Sequence, residues 1–182
     1  MKLIHAQRIA AIVVRQLSPY CSKIAVAGSI ARLKPDNISD IEIVCTPKTL
    51  PKPTLIDIGE VIRHPGFVKT LRKWKKIKGD LETGKQIQRE FTLDSDQYPS
   101  IGDTTVKLDI FIAEPSNWGN IMAIRTGPAD YSKAIMDHIN SKKGYHHTGG
   151  HLYIDGEKQS IPTEEKFFEL IGMKFLPANR RK

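Results

Sequence analysis

The sequence predicts an α+β fold: a mixed sheet with covering helices, then a small helix–hairpin–helix piece. Three observations carry this. Thr104–Ala113 alternates apolar and polar residues with the period of a one-sided strand. Residues 3–17 instead repeat their apolar positions every three or four residues. Beyond Pro115 the texture turns helical, interrupted by the hairpin signal Asp155-Gly156.

Taken in order, Leu3, Ala6, Ala10, Val13 and Leu17, with Ile9 beside them, mark an amphipathic helix that Pro19 stops. A β-rich run, Lys23–Ala27, ends at Gly28-Ser29, and Asp40–Val44 forms a second strand after a polar loop. Pro47, Pro51 and Pro53 exclude regular structure for about seven residues. Pro65-Gly66 opens a helix over Phe67–Trp74, and turns at Gly79-Asp80 and Thr83-Gly84 precede a strand near Gln86–Leu93. Asp94–Asp103 is a polar loop. In Thr104–Ala113, Val106, Leu108, Ile110 and Ile112 take one face and Lys107, Asp109 and Phe111 the other. The domain boundary falls at Pro115, giving units 1–115 and 116–182. After it Ser116 caps a short helix, and Gly127-Pro128 opens another that reaches about Lys143 and stops at Gly144. His147–Ser160 makes short strands joined at Gly149-Gly150 and Asp155-Gly156. A last helix starts at Pro162-Thr163-Glu164-Glu165, its carboxylates where the helix dipole favours them, and ends at Gly172.

Among the 182 residues, 28 Lys and Arg face 20 Asp and Glu, a formal +8; with 40% apolar residues, this excludes a chain disordered throughout. No apolar stretch approaches the ~18 residues of a membrane span, and Met1–Ala6 opens no long apolar segment. No membrane association or export is expected, and the setting is read as cytoplasmic. Cys21 and Cys45 are too few for a disulfide framework and read as buried free thiols. The positive balance suits a polyanionic partner. Five cations, Arg72, Lys73, Lys75, Lys76 and Lys78, fall within seven residues, with Trp74 and Ile77 among them. Trp74 can stack on a base, but its helical spacing from Phe67 and Leu71 favours the core. Lys142-Lys143 and Arg180-Arg181-Lys182 read as solvated face and frayed tail.

The candidate chemistry is carried by carboxylates. Asp40 and Glu42 are two apart on a strand and emerge on one face, while Ile41 and Ile43 enter a core. Asp109 sits in mid-strand in the same way. If the two strands are neighbours, three like charges meet and require cations, and oxygen-only sites suit Mg²⁺ or Mn²⁺. Solvated carboxylates on one-sided strands are the plainer alternative. Gly28-Ser29, with Arg32 three residues on, can bring backbone N–H groups, a hydroxyl and a guanidinium to a phosphate. His146, His147 and His151 lack a fourth ligand nearby and read as surface or DNA-backbone histidines. Neither a Gly-x-Ser-x-Gly elbow nor a Walker-type loop occurs.

Gly28-Ser29-Ile30-Ala31-Arg32, Ser39-Asp40-Ile41-Glu42 and Lys107-Leu108-Asp109-Ile110 together resemble the palm signature of the polymerase-beta nucleotidyltransferase superfamily. Trp118-Gly119, Arg125-Thr126-Gly127, Lys142-Lys143-Gly144-Tyr145 and Thr163–Gly172 with Pro177 resemble the C-terminal subdomain of family X DNA polymerases. The resemblance implies a palm over 1–115 and a nucleotide- and DNA-contacting subdomain over 116–182. It implies Asp40, Glu42 and Asp109 as catalytic ligands of two Mg²⁺ or Mn²⁺ ions, with Asp109 taking the proton of the primer 3′-hydroxyl. Gly28, Ser29, Arg32 and Ser39 would hold the triphosphate, and Thr126 and Gly127 would border the incoming nucleotide. The implied partners are a dNTP and gapped or primer–template DNA, bound by a monomer in short gap-filling repair, with Arg72, Lys73, Lys75, Lys76 and Lys78 on the DNA.

The chain departs from the family at Glu42, where Asp is usual, and at Ile124 and Arg125, where better-known members carry aromatics. Ser132 and Met136 replace polar or basic residues that touch base or template in some members. About two dozen residues precede Gly28, so a minimal palm-plus-thumb form without the lyase domain is expected, as in small viral and phage members. Two alternatives stay open: a nucleotidyltransferase acting on RNA, protein or a small molecule, and a catalytically silent DNA-binding module on the same fold.

Overall fold

Alternation on neighbouring strands organises the molecule. The computed structural model describes residues 1–52, 60–96, 98, 99 and 101–181. In chain order the elements are α1 (Leu3–Leu17), β1 (Cys21–Val26), α2 (Gly28–Ala31), β2 (Asp40–Pro47), β3 (Thr49–Pro51), β4 (Val61–Arg63), α3 (Pro65–Arg72), β5 (Lys75–Lys78), β6 (Gln86–Leu93) and β7 (Thr104–Ile112). Then follow α4 (Trp118–Thr126), α5 (Ala129–Ser141), β8 (Tyr145–Thr148), β9 (His151–Ile154), β10 (Glu157–Lys158) and α6 (Glu164–Ile171). The fold is α+β. The main sheet has the order β1-β2-β7-β6-β5 and is mixed: β2 and β7 run parallel, and the other pairs antiparallel.

One face of this sheet is apolar. Ile43, Ile110 and Ile87 lie in register across β2, β7 and β6, as do Ile41, Leu108 and Arg89. They join Ala6, Ile9, Ala10, Val13 and Leu17 of α1 and Phe67 and Leu71 of α3 in one buried core. The periodicity of α1 fixes which of its residues face the sheet, and a 3-10 turn over Ser18–Tyr20 with Pro19 ends it. Arg89 is the exception in this core. It is buried, and its guanidinium donates to the carbonyls of Leu71, Lys78 and Gln88, which ties the end of α3 to the sheet. Trp74 is core, edge-on to Phe91 at 5.1 Å. Cys21 and Cys45 are buried and free.

A second core joins Ala123 of α4, Ile135 and Ile139 of α5, Leu152 of β9 and Phe167, Phe168 and Ile171 of α6. A third, Ala27, Val44, Phe111, Ala113 and Trp118, spans both sides of Pro115 and seats α4 on the sheet. Phe111, expected on the polar side of its strand, is buried there because α4 covers that end of the face. Thr163 caps α6, its hydroxyl accepting from the Lys166 N–H at 3.2 Å, and Gly172 ends the helix in the left-handed region.

Several expectations need correction. Pro47 closes β2, and Thr49–Pro51 is itself a strand paired with β4; Pro53 lies outside the described residues. Proline is tolerated there because edge strands leave N–H positions unbonded. Part of the basic run is the edge strand β5. The residue before α4 is Asn117, and the Ser116 hydroxyl meets Glu114 instead of capping. In the C-terminal basic cluster, Arg181 is no part of a frayed tail: it is buried, donates to Glu164 at 2.7 Å, and lies among the rings of Tyr131, Phe168 and Phe175, while Arg180 is exposed and Lys182 lies outside the described residues. His151 is likewise buried, and His147 half-buried. Among the described residues no helix is long and apolar enough to cross a membrane.

Candidate active site

The opposite face of the sheet holds the acidic residues. The registers of β2, β7, β6 and β5 place Asp40, Lys107, Glu90 and Lys75 in one cross-strand row. The next row is Glu42, Asp109, Gln88 and Lys78, and a third is Val44, Phe111 and Gln86. The late aspartate therefore stands directly beside the earlier acidic pair, on the neighbouring parallel strand.

Asp109 is buried, at 5% exposure, and is satisfied on both oxygens. Gln88 donates to its Oδ1 at 2.5 Å and Gln86 at 3.3 Å, while the Lys107 ammonium pairs with Oδ2 at 2.7 Å. Lys107 also lies 3.7 Å from Asp40, and its hydrogen bond to Asp109 holds it protonated above its ordinary range. Ser39 donates to the Asp40 carboxylate at 3.3 Å.

Glu42 is packed against Gly28. Gly28 has φ +60°, which favours glycine, and a Cβ there would push the Glu42 carboxylate from its place. Burial pushes Glu42 up to about 7, the nearby Asp40 and Asp109 adding to it against the pull of Arg32 and Arg125. Among the described residues, no three His, Cys, Asp or Glu side chains already converge as a metal cage. Lys107 stands between two of the carboxylates instead.

The loop beside this face is short. Gly28 and Ser29 open α2, and Arg32 follows it. Arg32 donates to the Thr126 carbonyl at 2.8 Å and to the Ser29 hydroxyl at 3.1 Å, which ties the loop to the end of α4. Thr126 is buried and its Oγ1 lacks a partner among the described residues. Gly127, Arg32, Glu42 and Ser132 line a recess of about 290 Å³. The structure thus brings Gly28, Ser29, Arg32, Ser39, Thr126 and Gly127 around the carboxylates, with the Thr126 side chain turned inside.

The basic run divides. Lys75 and Lys78 fall in the carboxylate rows, whereas Lys76 pairs with Arg89, a residue of the covered face. Arg72 and Lys73 are exposed at the end of α3, Arg72 within 3.6 Å of Glu82. The sequence placed Lys107 on the face of Asp109 but gave it no role there, and it did not point to Gln86 and Gln88 as neighbours of Asp109. The alternation Gln86-Ile87-Gln88 was the available signal. No protein-family model matches the chain, and no curated protein matches it either.

Proposed function

We propose that the chain is a nucleotidyltransferase of the family X DNA polymerase type, adding a nucleoside monophosphate from a dNTP to a DNA 3′-hydroxyl during short gap filling, with the α–β phosphoanhydride bond broken and pyrophosphate released. The observation that supports it is the register placing Glu42 beside Asp109 and Asp40 beside Lys107, next to the Gly28-Ser29 turn. The donor set fits hard divalent cations. Three carboxylates share one face without His or Cys, and the ammonium seated between Asp40 and Asp109 is a charge that a metal can displace. Asp40, Glu42 and Asp109 would hold two Mg²⁺ or Mn²⁺ ions, which when bound lower the pKa of the attacking hydroxyl and neutralise the triphosphate.

The rest falls to the chain's own groups. Asp109, held by Gln86 and Gln88, is oriented to accept the proton of the 3′-hydroxyl. Arg32 exchanges the Thr126 carbonyl and Ser29 hydroxyl for phosphate oxygens, where its fork binds more strongly. Gly28 leaves the room that the Glu42 carboxylate fills, which seats that carboxylate beside Ser29 and the start of α2. Lys75 and Lys78, on the carboxylate face, bind DNA phosphates.

Extension of a one-nucleotide gap, with dNTPs and NTPs and with Mg²⁺ or Mn²⁺, tests this against Asp109→Ala. Template-directed addition that is lost in the variant is expected. Lys107 seated between Asp40 and Asp109 favours one rival, a silent DNA-binding module. That rival gains if the parent protein shifts gapped DNA and adds nothing. Modification of RNA, protein or a small molecule alone would replace the acceptor.

A further inference from the structure

A second recess, of about 430 Å³, opens one sheet row beyond Asp109. Its wall includes Phe111 and Gln86 of that third row, Ile121 and Arg125 of α4, and the β8–β9 tip at Gly149-Gly150. The tip is fixed to α4: Asn117 and Asn120, both buried, donate to the Gly150 carbonyl at 3.1 and 2.7 Å. The recess is therefore a built cleft between the sheet and the second half of the chain.

Its charge is one-sided. Arg63 from β4, Lys85 before β6 and Arg125 from α4 all line it. Arg63 is spent on the carbonyls of Leu81 and Gly84, Lys85 on that of Gly149, and Arg125 lies 4.2 Å over the Phe111 ring. These contacts hold the side chains in place without a close carboxylate partner; Asp80 and Glu82 act on Arg63, and Glu42 and Asp109 on Arg125, only at longer range. Among the described residues none of the three forms an ion pair within 4 Å. Glu114, the carboxylate in the lining, is already faced by Lys158 at 3.6 Å.

Three fixed cations from three elements around one cleft call for an anion of matching valence, since a monoanion leaves two of them unanswered. The volume suits a ligand of nucleotide size or smaller. We propose that this recess binds a polyphosphate group, as pyrophosphate or as the tail of a free nucleotide, separately from the carboxylate site. The proposal takes none of Asp40, Glu42 or Asp109 as a ligand; Arg125 also lines the recess at Glu42, so the test rests on Lys85 and Arg63, which do not.

The test is an NMR titration of the full chain in chelator, with pyrophosphate and with dATP in separate arms. Saturable amide shifts at Lys85, Gly149 and Gly150 are expected, weakening as salt rises. Lys85→Ala should weaken binding about tenfold, one charge-assisted contact, and Arg63→Lys, which keeps the charge, by no more than about threefold. Additional methyl shifts at Ile112 and Ile121 in the dATP arm would identify a nucleotide as the source. Tighter binding of pyrophosphate without them would identify the free anion. Shifts confined to Gly28 and Ser29, no shifts at all, or an unchanged Lys85→Ala in a protein that still melts cooperatively would overturn the proposal.

Discussion

The two faces of the main sheet are made by the same strands and obey opposite rules. On the face under α1 and α3, side chains in register are Ile43, Ile110 and Ile87, all fully buried. On the other, one residue along each strand, they are Glu42, Asp109 and Gln88. The first face lowers free energy by removing apolar area from water. The second gathers like charges and partly buries them, which raises free energy and is offset in part by Lys107 between Asp40 and Asp109. Stability and proposed function are thus separated by the two-residue period of a strand, and substitutions at adjacent positions should have unlike consequences.

The largest expected effect is on activity. Asp109→Ala should lower nucleotide addition by about three orders of magnitude, about 4 kcal/mol of barrier, while the melting temperature stays close to that of the parent. Its neighbour Ile110→Ala should do the reverse. Emptying a fully buried site under α1 costs about 3 kcal/mol, read as a lower urea midpoint, with the folded fraction still active. If both variants lost activity and stability together, the two faces would not be separable.

Glu42 sharpens the contrast through pH. Its carboxyl binds a proton more tightly in the folded protein than in the unfolded one, since burial and its acidic neighbours raise it from 4.5 to about 7. Below the lower value both states are protonated and nothing is lost. Stability then falls as pH rises through that window, by up to about 3 kcal/mol above it. In chelator, urea denaturation from about pH 5 to about pH 8 should show this decline, and Glu42→Gln should flatten it. A variant with the parent's slope would mean that the carboxylate does not feel the burial at Gly28.

How much of this was legible follows from which signals are local. The α1 helix and the strands β6 and β7 were readable because one face of each is buried, so the burial period is written into the residues. The pair Asp40 and Glu42 was readable for the same reason. That Asp109 lies beside them was only conditional, because strand order depends on the crossover between β2 and β7 and no local pattern states it. The β3–β4 hairpin was missed because proline argues against a strand except at an edge, and edges are not visible in a sequence. Arg181 was missed because its burial is assembled at long range. Its carboxylate comes from α6, and its rings come from α5, α6 and the segment after α6. The carboxylate side of the Gly28 contact was equally hidden: a glycine at a turn does not announce which side chain fills its missing Cβ.

The smallest expected effect separates the faces at the sheet's edge. On β5, Lys75 and Lys78 share rows with the carboxylates, and Lys76 does not. If DNA lies across the carboxylate face, removing Lys75 and Lys78 together should flatten the plot of log K for gapped DNA against log salt by about two contacts' worth, ~0.9 each. Lys75 leaves Glu90 to bind phosphate, so its share of the affinity is offset by that lost pair, and each change should cost under about 1 kcal/mol. Lys76→Ala should leave the slope where it was. The salt slope is the right readout because it counts released counterions rather than total affinity, and a surface lysine away from the DNA releases none. Equal flattening from Lys76→Ala would mean that DNA senses the basic run as net charge and that the rows on the sheet do not set its path.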